Sequence, residues 1–194
     1  MIKKQIEKRN SLILAYLELA NDRLFLKLPE EDQQKVIKEA IKVGEEMAAF
    51  VTDKYGSSDP RKIAQALGVR VYGSEEGGKN QVSQYFSKNE EIVIYRRPFE
   101  RLSQEIGSPE LGDKFLKFMV GRSLFFHLEK KFLGDLAKKF VFRVFKLGPF
   151  EKKRAINDVH KVSAQAFVRS LLEIEFSPEV FDYLTYVLFT RHLN

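Results

Sequence analysis

Three histidines, His127, His160 and His192, are the only imidazoles in the chain, and there is no cysteine. Thiolate zinc sites, cysteine nucleophiles and disulfides are therefore excluded. A catalytic metal site needs about three ligands converging on one point. His127 and His160, together with Glu129 or Asp158, offer such a set if their two segments pack together, and the chain would then be a metal-dependent hydrolase. Against that, no pair of histidines has the spacing that puts two ligands on one helix face, and Lys130, Lys131 and Lys161 surround them with positive charge. The plainer reading is that these histidines are hydrogen-bonded or solvated. No serine sits in a nucleophile-elbow pattern, so serine catalysis has no support.

A second group of residues is suited to binding. Lys138, Lys139, Arg143 and Lys146 alternate with Phe140, Val141, Phe142, Val144 and Phe145, a composition that fits phosphate contacts with base stacking, or an anionic membrane surface. Between Lys130 and Arg154 there are nine Lys or Arg and two acidic residues, so this stretch carries +7 of a total of +6 and the remainder carries −1. The same stretch has Phe132, Leu136, Phe140, Val144 and Leu147 recurring about every four residues, which predicts an amphipathic core helix with a solvated lysine face. Residues 63–69 (IAQALGV) also resemble the first half of a DNA-binding helix-turn-helix, but the glycine-bearing stretch after them leaves no room for the second helix.

These side chains must be positioned by the rest of the 194 residues, enough for one well-buried core. We expect a single domain, 1–194. Apolar periodicity predicts helices over about 4–23 and 29–55, with Gly56 as a stop, and the two are expected to form an N-terminal hairpin over 1–57. Ser58-Asp59-Pro60 is a strong helix start, because a capping side chain is followed by Pro at the first helical position. Strands are predicted at 69–72, 81–87 and 92–95, forming a small antiparallel meander. Helices follow over 98–106, from Ser108-Pro109 to about 131, over 150–173, and from Ser177-Pro178 to about 191. No segment reads as a signal peptide or reaches the roughly 18 apolar residues of a membrane span. A cytoplasmic protein without a membrane span is expected.

Certain residues narrow this pattern. Asp59-Pro60, Ile63-Ala64 and Leu67-Gly68-Val69-Arg70-Val71 resemble the DP-x-x-IA-x-x-LG-(I/V)-x-V segment of ImmA/IrrE-type metallopeptidases. The strand Glu91 to Tyr95 is similar to the one before their active-site helix, and Gly121-Arg122-Ser123-Leu124-Phe125-Phe126-His127-Leu128-Glu129 stands where that family commonly has AHELFHHLE. Val162 to Phe167, Leu171-Leu172 and Phe176-Ser177-Pro178-Glu179 resemble the family's EIAAHAF, LL and FSPE segments. The likeness runs from about residue 58 to 184.

The resemblance implies an α+β, mostly helical fold with a zincin-like core over 58–194, its three-stranded sheet packed on the former active-site helix. In HExxH, positions i and i+4 bring two imidazoles to one zinc while the Glu between them polarises the bound water. Here the first ligand position is Arg122, the base position Ser123, the second ligand position Phe126 and the third ligand position Lys161. A guanidinium or ammonium offers no lone pair, a hydroxyl cannot serve as a carboxylate base, and a benzene ring has no donor atom. The resemblance therefore implies a protein without peptidase activity and without a cofactor. Phe126 is then either plain core or filler of the vacated pocket, and Arg122 either a paired surface charge or a contact for a protein or peptide partner in the former substrate groove. Active relatives cut transcriptional repressors, which suggests a regulatory setting.

Overall fold

A computed structural model describes residues 2–76, 81–147 and 150–174. The helix expected from Ser177, and His192, lie outside the described residues. Among the described residues the helices are α1 (Ile2–Leu19), α2 (Glu30–Tyr55), α3 (Pro60–Ala66), α4 (Arg96–Ile106), α5 (Pro109–Leu128) and α6 (Val159–Leu171). The strands are β1 (Arg70–Ser74), β2 (Ser83–Phe86), β3 (Glu91–Tyr95), β4 (Val141–Leu147) and β5 (Phe150–Ala155). The mostly helical α+β class predicted from the sequence is the one observed.

The helix boundaries follow from local chemistry. Glu30, Glu31 and Asp32 place negative charge at the positive end of α2, and Gly56, at φ 61°, closes it with an N–H donated to the Thr52 carbonyl. Asp59 caps α3 by accepting the Arg61 N–H, with Pro60 at the first helical position. Ser108 caps α5 in the same way through the Leu111 N–H. Beyond Leu128, α5 continues into one π-helical turn, Glu129–Leu133, closed by the Gly134 N–H to the Glu129 carbonyl.

The buried side chains form one cluster that draws on α1, α2, α3, the three-stranded sheet, α5 and α6. Its tightest seam is α2 against α6. Ala40, Gly44 and Ala48 are buried there, and the Ser163 hydroxyl donates to the Ala40 carbonyl at 2.7 Å. Residues 1–57 are thus not an appendage: α1 touches α2, but α2 packs chiefly on α6.

Two expectations are corrected. The three-stranded sheet is mixed, not an antiparallel meander: its order is β1-β3-β2, with β1 parallel and β2 antiparallel to β3. All five residues of β3 are buried, and its apolar run Ile92-Val93-Ile94 suits a central strand covered on both faces and paired on both edges. The second correction concerns 132–155. The expected core helix up to Leu147 is instead a short 3₁₀ turn, Leu136–Lys139, followed by β4, which pairs antiparallel with β5. The expected helix from 150 begins only at Val159. Leu136 and Phe140 enter the core, but Val144 is exposed, so the four-residue recurrence was not one helical face. Gly134 ends the helix first, and the β-branched and aromatic residues of VFRVF then favour a strand.

No helix among the described residues is long and apolar enough to cross a membrane. After α3 the chain enters β1 at Arg70 with no second helix, as the glycines there predicted.

Candidate functional site

A cleft of about 630 Å³ lies between β2 and α5. Gln81 to Tyr85 and Ser87 form one wall, Met119, Arg122, Ser123 and Phe126 the other, and Lys130 and Lys161 complete the lining. The four positions singled out by the helix motif and its downstream partner, Arg122, Ser123, Phe126 and Lys161, thus border one space. The reason is geometric: residues three and four apart on a helix are surface neighbours, which places both 122 and 123 beside 126, and α6 packs beside α5 so that Lys161, near its start, reaches the same cleft.

Each side chain has a definite environment. Ser123 is buried, and its hydroxyl donates to Ser83 Oγ at 3.1 Å, which in turn donates to the Met119 carbonyl at 3.2 Å, tying α5 to β2. Phe126 is 36% exposed, so it is a cleft side chain and not plain core. The Arg122 guanidinium lies 5.9 Å from the centre of the Phe118 ring. Lys161 Nζ sits 2.9 Å from Asp158 Oδ1 and 3.0 Å from Glu18 Oε1. Burial disfavours its charge, but these two carboxylates outweigh that and hold its pKa above the ordinary lysine value. Lys130 Nζ donates to the Ser87 carbonyl at 2.9 Å. The cleft lining holds three cations and no carboxylate. A divalent ion does not fit: the four positions present a guanidinium, an occupied hydroxyl, a benzene ring and an ammonium.

The histidines separate. His127 is buried and shares a 2.9 Å hydrogen bond between its Nδ1 and the Tyr85 hydroxyl, while its Nε2 has no partner among the described residues. Burial lowers its pKa, so the ring is neutral at pH 7. His160 instead meets Glu129, with Nδ1 2.8 Å from Oε1 and 2.9 Å from Oε2. Glu129, Asp135 and His160 present ligand atoms within 4.8 Å of one another, a group that could hold a metal ion. The sequence-based set of His127 with His160 is therefore divided, and Asp158 pairs with Lys161. Each ligand atom of the trio already has work: Glu129 Oε1 accepts the Leu136 N–H at 3.0 Å, and Asp135 Oδ1 accepts the Ala137 N–H at 3.1 Å. The trio fastens the start of the π-turn to the next turn and to the start of α6.

That pair carries a pH dependence. The hydrogen bond that the His160 ring donates to Glu129, working against burial, raises the His160 pKa above its unfolded value of about 6.5. Stability from this pair is fully present below that value and is lost as pH rises through the higher, folded pKa. Thermal unfolding between pH 6 and 9 should show this loss. Glu129→Gln should lower stability by about 2 kcal/mol at pH 6 and flatten the profile. An unflattened profile in the variant would assign the pH dependence elsewhere.

The basic residues sit apart from the cleft, save Lys130. Lys138 and Lys139 lie in the 3₁₀ turn, and Arg143 and Lys146 in β4. Sequence reasoning missed Tyr85, Ser83 and Glu18, which complete the environments of His127, Ser123 and Lys161. Their partners are far away in the chain, and no local spacing signals such contacts. No known protein family, curated protein or solved structure matches the chain.

Proposed function

We propose that the chain is a catalytically inactive, ImmA/IrrE-like protein with a zincin-like core that binds an extended acidic peptide, or such a segment of a partner protein, in the former substrate groove. The observation that carries this reading is the convergence of Arg122, Ser123, Phe126 and Lys161, the positions the resemblance assigns to zinc ligands and base, on the cleft beside β2. Peptidase chemistry is lost because none of the four groups can bind zinc or activate water. Binding is retained because the space and the strand remain. β3 occupies one edge of β2, and no strand among the described residues pairs with the other. An extended peptide in the cleft can add to that edge by main-chain hydrogen bonds, with side-chain pockets supplying selectivity. Arg122 and Lys130 favour carboxylates, while Lys161 is already neutralised by Glu18 and Asp158, and the exposed face of Phe126 favours an apolar residue beside them.

An array of acidic, neutral and basic decapeptides tests this. Acidic members should be retained best, and Arg122→Glu should weaken the best of them at least tenfold with Tm unchanged. Equal retention of basic peptides, or indifference to Arg122→Glu, would overturn the groove reading.

A second reading, a metal-dependent hydrolase with a rearranged site, is favoured only by the Glu129, Asp135 and His160 grouping. Zinc titration of the unaltered chain separates the two. One bound equivalent, abolished by His160→Ala, would favour the hydrolase, whereas we expect no uptake.

A further inference from the structure

The ribbon β4–β5 is not explained by the cleft or by the core. Its root is fastened to the body: the Ile156 N–H donates to the Phe140 carbonyl at 3.1 Å, Phe142 packs on the core, and Arg154 reaches the buried carboxylate of Asp22 at 3.3 Å. Beyond this root the strands have no third partner among the described residues. Phe145 is 53% and Phe150 75% exposed, the latter beside the turn. The register sets Arg143 opposite Lys153, Phe145 opposite Lys152 and Leu147 opposite Phe150, with an irregularity at Val144.

This arrangement weakens an isolated ribbon. Like charges directly opposite one another on two strands are destabilising, and a two-stranded ribbon is marginal even without them. Only Glu151, 3.6 Å from Lys153, offsets the charge within the strands. Between Lys138 and Arg154 there are seven Lys or Arg against that one Glu, in a chain whose remaining charge is close to balanced. A polyanion lying along the ribbon relieves the repulsion.

We propose that the β4–β5 ribbon is a binding arm for double-stranded DNA. A two-stranded ribbon fits the B-form major groove, which is about 12 Å wide. Arg143, Lys152 and Lys153 occur along the stem and belong to both of its faces, since Lys152 and Lys153 are neighbours on one strand. That distribution matches phosphates flanking a groove, and the vesicle measurement below separates such an arm from a hairpin that rests its aromatic end on an anionic membrane. Phe145 and Phe150 supply apolar surface for the bases or sugars. The cationic contacts, which dominate, are to the phosphate backbone, so the arm binds with little sequence preference and strong salt dependence.

Fluorescence anisotropy of a labelled 20-base-pair duplex, with the full chain, tests the arm. We expect binding at 50 mM KCl that weakens with a log-log salt slope of about −3, as neutralisation of three or four phosphates requires. The triple variant Arg143→Ser, Lys152→Ser and Lys153→Ser should lose at least tenfold in affinity and show a shallower slope, with its far-UV circular dichroism and Tm retained. The control Lys35→Ser, Lys38→Ser and Lys42→Ser, which removes the same charge from the exposed face of α2, should bind like the unaltered chain. No binding at 50 mM KCl, or equal losses in both triple variants, would overturn the proposal. So would binding to vesicles containing phosphatidylglycerol in the absence of DNA binding.

Discussion

The combined substitution Arg122→His, Ser123→Glu, Phe126→His and Lys161→Glu should give a chain that binds one equivalent of zinc in the cleft, where the unaltered chain is expected to bind none. Placement alone leads to this expectation. Residues 122 and 126 lie within the regular part of α5 and both face the cleft, so two imidazoles there would point at a common centre. Residue 161 borders the same cleft from α6, so a carboxylate there tests the third ligand position. The substitution also has costs. A Glu at 161 would stand near Glu18 and Asp158, which now neutralise Lys161, and a Glu at 123 would replace a buried hydroxyl bonded to Ser83. The metal-free variant should therefore be less stable than the unaltered chain. At zinc concentrations a hundredfold above Kd, binding should restore about 2.7 kcal/mol, a rise in Tm of roughly 5 to 10 °C. Calorimetric titration and thermal unfolding with and without zinc measure both effects. A folded variant that takes up no zinc would show that the four positions do not share a ligand geometry, and the metallopeptidase-like reading would fall with it.

The second large effect concerns the scaffold. Gly44→Ala should destabilise the protein by about 3 kcal/mol, lowering Tm by roughly 6 to 12 °C. In an exposed helix the same change stabilises, by about 1 kcal/mol, because Ala loses less backbone entropy. Here a Cβ on residue 44 would lie 2.2 Å from the Ser163 carbonyl oxygen, 2.7 Å from the Phe167 nitrogen and 2.8 Å from Ala166 Cβ. Two of those three are backbone atoms of α6 and cannot rotate away, so the helices must separate and the Ser163 to Ala40 hydrogen bond must stretch. Sterics outweigh propensity, and the sign reverses. Urea unfolding at constant m-value reads the loss directly. A neutral or stabilised Gly44→Ala would mean that α2 does not lie against α6 as described.

Much of the scaffold was legible because it depends on neighbours in sequence. Asp59-Pro60 and Ser108-Pro109 cap helices whatever the rest of the chain does, since their side chains satisfy amides two or three residues away. The stretch from Lys138 to Leu147 was not legible in the same way. Its apolar residues recur about every four positions, yet they also include the aromatic and β-branched residues that suit a strand, and only the pairing with β5 decides between the two.

The candidate site divides along the same line. The amino-acid sequence by itself determined which groups stand at positions 122, 123, 126 and 161, and hence that none can ligate zinc, because donor atoms are a property of residue type. It also determined the concentration of positive charge between 130 and 154. Tertiary structure decided that those four positions share a cleft with Lys130 and β2, that His160 pairs with Glu129 while His127 turns to Tyr85, and that the basic segment stands out as a ribbon. Such pairings join residues far apart in the chain, and they are set by how helices and strands pack, which no local spacing encodes.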